Sequence, residues 1–331
     1  MAAPNTELIA RLTKAIALRQ ALIDEEYICR IVDDVADDFP NIVVDKLGQL
    51  LLAHIRCASE EEGQAIVNDL RPAAPWLCAE LDVMSFYCRL HLPDSRQSAE
   101  NAPQKLHGIT FSEAVQSEEN MQFLIRPLEA VNAGVFVDTR EVRTQLRQRA
   151  RGKRVLNLFC YTGLLGLAAS CTGATEVVQV DVSKRMLTWA KENWQLNKID
   201  GAGPMRFICE DAASFLEKEV RRIERGKEGY HIVIIDPPVY GAAGKRGFSL
   251  SRDLPILLHG ITKVLAPMGE LLLMCNLKEL SSLRLRDMVS SAVDESGRAL
   301  DQVRELNAPA TDFRCSSAQA SSMRGVCAVI R

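Results

Sequence analysis

From Gly152 onward, short apolar runs alternate with longer segments in which apolar residues return every three or four positions. Val155–Phe159 predicts a strand, Leu164–Ser170 a helix, and Glu176–Val180 a second strand ending at Asp181. Ser183–Asn197 predicts a helix, with Ser183 as N-cap and Met186, Ala190 and Trp194 along one side. Met205–Cys209 predicts a third strand and Ala212–Arg225 a helix with a charged outer face. The β-branched run His231–Ile235 leads directly into Asp236-Pro237-Pro238. Beyond it, Leu254, Leu257, Leu258, Ile261, Val264 and Leu265 keep helical spacing until Pro267–Gly269, which is expected to break the helix before a strand at Glu270–Cys275. A helix at Ser282–Glu295 and strands at Asp301–Leu306 and Gly325–Ile330 complete the series. Strand and helix in alternation imply an α/β fold: a parallel sheet with crossover helices.

The N-terminal stretch has a different texture. Met1–Leu18 sets Glu7, Arg11 and Lys14 among apolar residues, the pattern of an amphipathic helix and not of a secretory signal. Ile28–Val32, Ile42–Val44 and Gln49–Ile55 predict strands around an acidic turn at Asp33–Pro40 and a second turn at Gly48. A helix near Ser59–Asp69 and a strand near Val83–Leu92 follow. Pro93–Gly108 reads as an exposed loop, and Met121–Arg126 and Val135–Asp138 as short strands. The division expected is a small α+β domain over 1–130 and an α/β domain over 131–331.

Composition narrows the class. No apolar run approaches the ~18 residues of a membrane span, so a cytoplasmic protein is expected. Ten cysteines raise the question of zinc or disulfides, yet none falls in a C-x-x-C pair and most sit in apolar segments, as reduced thiols do. His54 with Cys57, and Cys88 with His91, are isolated pairs three apart, short of a metal-ligand set, and no metal is expected. The five histidines form no catalytic constellation. The net charge of -3 conceals a basic stripe of Arg140, Arg143, Arg147, Arg149, Arg151, Lys153 and Arg154, opposed only by Glu141. It reads either as a solvated helix end or as a phosphate-contacting surface.

Four motifs carry chemistry. In Val155-Leu-Asn-Leu-Phe-Cys-Tyr-Thr-Gly163-Leu-Leu-Gly166 a strand turns through small residues into a helix, which brings backbone close to a ligand; Gly163 is expected to leave room for it. Asp181 lies 18 positions beyond Gly163 at a strand end, where a carboxylate accepts from the two ribose hydroxyls of an adenosine, or else caps the next helix. That geometry serves NAD and S-adenosylmethionine alike. Glu210-Asp211-Ala212 follows the third strand, with Asp211 a candidate acceptor for the adenine amine or a helix cap. Asp236-Pro237-Pro238-Val239-Tyr240 sets an acidic side chain and a stiff turn without N–H donors at the sheet's carboxyl edge, a rigid wall for a flat base. Phe159, Thr162 and Val182 flank these positions and, with Ala212, complete the candidate cofactor set; Phe136 and Tyr161 are candidate walls.

These residues resemble a known group. Asn157-Leu-Phe-Cys-Tyr-Thr-Gly163, Val180-Asp-Val-Ser183, Asn193-Trp-Gln-Leu-Asn197 and Asp236-Pro-Pro238 are similar to motifs of the bacterial large-subunit ribosomal RNA methyltransferases, which include a 5-methylcytosine and a 7-methylguanine branch. Gly134-Val-Phe-Val-Asp138-Thr-Arg140-Glu-Val-Arg143 resembles the entry to their catalytic domain, and Arg30–Ile55 the small domain before it. The likeness is strong over 134–240 and looser elsewhere, and no PUA or THUMP module is expected within these residues. It implies a Rossmann-like, seven-stranded class I methyltransferase sheet, S-adenosylmethionine as cofactor, and RNA, specifically large-subunit ribosomal RNA, as partner.

The two branches differ in chemistry. Methylating carbon 5 of cytosine requires a thiolate that adds to the ring. Methylating nitrogen 7 of guanine requires none, because that nitrogen already offers a lone pair. In the 5-methylcytosine branch the cysteine is expected seven positions after the glycine of the strand following Pro267; from Gly269 that position is Asn276, and Cys275 falls one short. A one-residue offset turns a strand side chain to the opposite face. Asn276 and the stretch Phe248–Leu257 resemble the 7-methylguanine branch. The expectation is therefore a non-covalent base-nitrogen methyltransferase, with Asp236–Pro238 and Asn276 at the base, Arg140 orienting it, and Arg143, Arg147, Arg151 and Lys153 at phosphates. The alternatives are a 5-methylcytosine enzyme using Cys275, a small-molecule or protein methyltransferase, an inactive RNA-binding protein, and a nicotinamide-dependent dehydrogenase, against which Tyr161 in the first loop argues.

Overall fold

In the computed structural model, helix α1 (Thr6–Ala17) starts where the Asn5 side chain accepts the Glu7 N–H at 2.9 Å and lays Leu8, Leu12, Ala15 and Ile16 on a sheet. The structure describes residues 5–25, 27–93, 102–110, 112–129, 132–199, 203–238, 240–241, 248–277, 280–314 and 323–331. The chain forms two compact units, Met1–Val137 with Pro309–Ala320, and Asp138–Ala308 with Ser321–Arg331. The expected division at 130/131 falls inside the first.

The first unit continues with α2 (Gln20–Asp24), β1 (Cys29–Asp33), β2 (Ile42–Leu47), β3 (Leu50–Arg56), α3 (Glu60–Leu70), α4 (Ala74–Glu80), β4 (Ser85–His91), β5 (Gln104–Gly108), β6 (Ala114–Glu118) and β7 (Met121–Ile125). Strands β1 to β5 form one sheet in sequence order, antiparallel except for the parallel pair β3 and β4, whose crossover carries α3 and α4. One face, with Ile31, Val44, Leu51, Ala53 and Phe86, packs against Leu12, Val67 and Leu77 of the helices. Strands β6 and β7 form a separate hairpin. The exposed loop expected over Pro93–Gly108 is corrected: Gln104–Gly108 is an edge strand on β4, too polar to be read from hydrophobic alternation. Val135–Asp138 is not a strand either; a single 3-10 turn, Val137–Thr139, occupies its end. The His54 and His91 rings meet at 2.9 Å between Nδ1 and Nε2, and no group of three His, Cys, Asp or Glu poised for a metal ion occurs among the described residues.

The second unit runs α5 (Arg140–Arg149), β8 (Arg154–Leu158), α6 (Leu164–Ser170), β9 (Glu176–Asp181), α7 (Lys184–Leu196), β10 (Met205–Cys209), α8 (Ala212–Glu224), β11 (Tyr230–Ile235), β12 (Tyr240–Gly241), β13 (Phe248–Ser249), α9 (Leu250–Val264), β14 (Leu265–Cys275), α10 (Ser282–Glu295), β15 (Leu300–Asn307) and β16 (Arg324–Ile330). Its seven-stranded sheet has the order β10-β9-β8-β11-β14-β16-β15. The first five are parallel, and β16 inserts antiparallel between β14 and β15. Central strand β11 is apolar on both faces, Ile232 to Ile235 all buried, because helices cover both sides of a parallel sheet. Each such side chain contributes roughly 1.5–3 kcal/mol by leaving water. The break expected at Pro267–Gly269 is corrected. Helix α9 stops at Val264, and Pro267-Met268-Gly269 lies within β14, where Met268 takes a φ of 58° and the register on β11 slips. No helix among the described residues is long and apolar enough to cross a membrane.

Candidate functional site

The four motifs converge on one edge. The carboxyl ends of β8, β9, β10, β11 and β14 lie side by side, and the strand order reverses between β8 and β11, the crevice at which open α/β sheets bind ligands. After β8, Phe159, Tyr161 and Gly163 have φ of 56°, 52° and 79°, so the loop alternates through left-handed conformations. For the two aromatic residues this costs roughly 1–2 kcal/mol each, strain that the surroundings must hold in place. The holding contacts are visible. Cys160 N–H donates to Val180 O at 3.0 Å and Tyr161 N–H to Asp181 Oδ2 at 2.9 Å. The other oxygen of Asp181 accepts Ser183 N–H at 2.8 Å, and Ser183 caps α7 by accepting Met186 N–H at 3.3 Å. Burial raises the Asp181 pKa and these backbone donors oppose it.

Gly163 is also constrained by the packing beneath the loop. Beyond its φ, a Cβ there would stand 2.8 Å from Ala190 Cβ and 3.0 Å from Gln179 Nε2, so the space is withheld by the loop's own packing. Thr162 is buried and half-buried Phe159 tilts against Phe248 at 5.2 Å between ring centres. Val182 is exposed beside Asp181, and Ala212 is buried at the start of α8. Asp211 is the N-cap of α8: Oδ1 accepts from Ala213 and Ser214 N–H, both at 3.1 Å, while Oδ2 meets no donor among the described residues. Phe136 belongs to the first unit and is exposed.

At the end of β11 Asp236 is half-buried at the sheet edge, and its carboxyl meets no hydrogen-bond donor among the described residues. Burial first, and the nearby Asp138 carboxylate second, push its pKa up to about 7. Asp138 is fixed by accepting Met323 N–H at 2.9 Å. Pro237 is buried and Pro238 exposed. Tyr240 and Gly241 form the short strand β12 against β13; Val239 lies outside the described residues. At the end of β14 the Cys275 side chain turns into the core with 1% exposure, its Sγ accepting Leu277 N–H at 3.1 Å, while Asn276 is exposed at the edge.

The basic stripe is not one surface. Arg140, Arg143 and Arg147 are buried: Arg143, without solvent exposure, donates to Thr139 Oγ1 at 2.9 Å and Arg147 to Thr144 Oγ1 at 3.2 Å. Arg149 pairs with Glu270 and Arg154 with Glu176. The expectation that the whole stripe meets phosphates is corrected, because the spacing of Arg140, Arg143 and Arg147 puts all three on the packed side of α5; Arg151, beyond the helix, is exposed and Lys153 half-buried. The sequence singles out Asn193 and Asp138 only as members of motifs, with no role, and does not single out Gln179. The signal for Gln179 was an amide in the middle of an otherwise apolar strand, Val-Val-Gln179-Val.

Comparison with known proteins accords with this geometry. The S-adenosylmethionine-dependent methyltransferase family matches residues 35–313. The chain is 32% identical over 166 residues to ribosomal RNA large subunit methyltransferase K/L of Hahella chejuensis, covering 50% of this chain and 22% of that one. It is 34% identical over 178 residues to the protein of the same name from Shewanella oneidensis, covering 53% and 24%. The chain thus spans less than a quarter of those relatives' length. In fold it is similar to SMU.776 complexed with SAH, with a TM-score of 0.82 at 20% identity over 99% of this chain and 83% of that one. With a match that runs through both units and a sheet whose last strand inserts antiparallel, the chain belongs to the S-adenosylmethionine-dependent methyltransferases and has their Rossmann-like class I fold.

Proposed function

We propose that the chain methylates a base of ribosomal RNA, at guanine N7, without a covalent enzyme intermediate, as a cytoplasmic enzyme. The cofactor supplies an electrophilic methyl group on sulfur. Asp181 would accept from its ribose hydroxyls and Oδ2 of Asp211 from its adenine amine, while the loop Phe159–Gly163 would hold its methionine part, with Val182 and Ala212 beside the adenine and Tyr161 as a wall. Ribosomal RNA is the substrate in the name of the relatives that match about half of the chain.

The observation that carries the choice of base is the end of β14: the thiol of Cys275 is turned into the core and hydrogen-bonded, and Asn276 stands at the edge in its place. A buried thiol whose lone pair already accepts an N–H is poorly placed to add to a ring. Guanine N7 asks for less. When it takes a methyl group the ring becomes cationic and its N1–H more acidic, so an ionised Asp236 accepting from the N1–H and exocyclic amine binds the transition state more tightly than the ground state. Pro237 and Pro238 hold that carboxylate still, and Asn276 offers an amide to the base edge. Arg151 and Lys153 contribute to phosphate binding, and Arg140, Arg143 and Arg147 act from within by holding the helix that carries them.

The test is transfer of labelled methyl to protein-free ribosomal RNA, with nucleosides identified by mass for wild type, Cys275→Ala and Asn276→Ala. The expected product is 7-methylguanosine, unchanged by Cys275→Ala and reduced about tenfold or more by Asn276→Ala. A 5-methylcytidine product abolished by Cys275→Ala overturns the assignment. Transfer only to a small molecule or a protein, or salt-sensitive RNA binding without transfer, overturns the substrate as well.

A further inference from the structure

The loop after β8 is held from beneath by side chains that do not belong to its motif. Asn157 and Gln179 are register partners across the parallel pair β8 and β9, so their side chains lie adjacent on one face, both at most 1% exposed. Asn157 Nδ2 donates to Gln179 Oε1 at 2.8 Å, which fixes the orientation of the Gln179 amide. Its Nε2 is thereby aimed at the loop and donates to Gly163 O at 2.8 Å. From α7, fully buried Asn193 donates through Nδ2 to Thr162 O at 2.9 Å. Two consecutive carbonyls of the loop are therefore each taken by a buried amide, and Asn193 is itself braced by Asn197, whose Nδ2 donates to its carbonyl at 2.6 Å.

The glycines of the motif are matched to this arrangement. A Cβ at Gly166 would stand 2.3 Å from Gln179 Nε2 and 2.7 Å from its Oε1, and one at Gly163 3.0 Å from Nε2. Gly163 and Gly166 thus make the room that the Gln179 amide fills. Because a peptide unit is planar, fixing the Gly163 carbonyl also fixes the direction of the Leu164 N–H on its far side. Gln179 lies on the strand that ends in Asp181, which accepts Tyr161 N–H from the same loop. One strand therefore grips the loop twice, by a backbone amide at Tyr161 and by a carbonyl at Gly163.

We infer that Gln179 and Asn193 are positioning residues for the cofactor, a buried amide latch that sets the peptide planes of Thr162 and Gly163 against Asp181. They touch the loop and not the ligand. The inference rests on the placement of S-adenosylmethionine along this loop, and the experiment separates the two.

Affinity for S-adenosylmethionine is measured by calorimetry on the full chain, with thermal melting and methyl-transfer kinetics alongside, for Gln179→Met, Asn193→Ala, Asp181→Ala, Gly166→Ala and the double variant Gly166→Ala/Gln179→Ala. Gln179→Met, near in volume but with no amide, is expected to weaken the cofactor about tenfold. It should raise KM for the cofactor while kcat at saturation stays within about threefold of wild type. Asn193→Ala is expected to act in the same direction. The Gly166→Ala clash should lower the melting temperature, and the double variant should recover it while the affinity stays weak. Recovery of both stability and affinity would show that Gln179 only fills space and would overturn the proposal. So would wild-type affinity in Gln179→Met alongside weakened binding in Asp181→Ala. If Asp181→Ala also binds as wild type does, the cofactor placement itself fails and takes the latch with it.

Discussion

Asp236 carries a conflict between burial and use. Its carboxyl is half-buried at the end of an apolar strand, with another carboxylate, Asp138, nearby, and its pKa rises to about 7. A carboxyl whose pKa is higher folded than unfolded binds more protons in the native state, so it costs nothing at low pH and destabilises increasingly as pH rises through the folded value. Asp236→Asn, which cannot ionise, should therefore match the wild type near pH 4 and exceed it above pH 7. The margin should be at most about 4 kcal/mol at 1.36 kcal/mol per pH decade. Urea melts of both proteins at pH 4.5 and 8 read the difference directly. Equal gains at the two pH values would mean that the carboxylate is not strained by its site. Methyl transfer should fall in the same variant, since Asn offers one acceptor oxygen where the ionised carboxylate offers two. Stability and activity moving in opposite directions would mark a group retained for its chemistry.

The elements show where a single side chain serves both fold and ligand. Asp211 caps α8 with one oxygen and leaves the other to the sheet edge. Asp211→Ala should cost about 1 kcal/mol through the lost cap, whereas Asp211→Ser keeps a capping oxygen and should cost only a few tenths. If the free oxygen meets the adenine amine, both variants lose cofactor affinity; a serine variant that binds as wild type does would leave Asp211 a cap and nothing more. Much at this scale could be read without coordinates. Leu164–Ser170 and Met205–Cys209 match their expected bounds, and the helix expected near Ser282–Glu295 spans those residues, with Ser281 as its cap. Helix α7, too, starts where the Ser183 cap predicted. Strands β5 and β6 escaped: Gln104-Lys-Leu-His-Gly108 and Ala114-Val-Gln-Ser-Glu118 are mostly polar, and only their partners make them strands. The basic stripe misled for the opposite reason. Charge says nothing of which side of α5 packs, and a buried guanidinium with a hydroxyl partner reads in sequence like an exposed one. The offset between Cys275 and Asn276 was legible because a strand has a period of two.

At the scale of the molecule the chain order differs from the order of its parts. The first unit is left at Val137 and completed by Pro309–Ala320, which arrives only after most of the second unit has been traced. The returning segment is held by charge. Asp312 Oδ2 accepts Arg30 N–H at 3.0 Å, Asp33 accepts Arg314 N–H at 2.7 Å, and the Arg30 guanidinium lies 4.4 Å from the Phe313 ring centre. At the centre Arg19 binds Asp37 through two hydrogen bonds of 2.8 and 2.6 Å, neither side chain more than 1% exposed, and donates to Asp312 O at 3.2 Å. No local pattern announces contacts between residues 282 or 293 apart, which is why sequence placed a clean boundary near 130. Such long closures are costly in chain entropy and must be repaid by the pair at their centre. Arg19→Met removes the buried partner and leaves the Asp37 carboxylate to the half-exposed Arg314 guanidinium at 3.3 Å, which should cost about 3 kcal/mol. Adding Asp37→Asn removes the under-compensated charge but keeps an acceptor for Asp33 N–H, and should recover most of that loss. Hydrogen exchange gives the spatial readout: in Arg19→Met, amides of β1 to β4 should lose protection well before those of β8 to β11. A loss below about 1 kcal/mol, or one spread evenly over both sheets, would mean that the returning segment is held by its apolar contacts and that the buried pair is incidental.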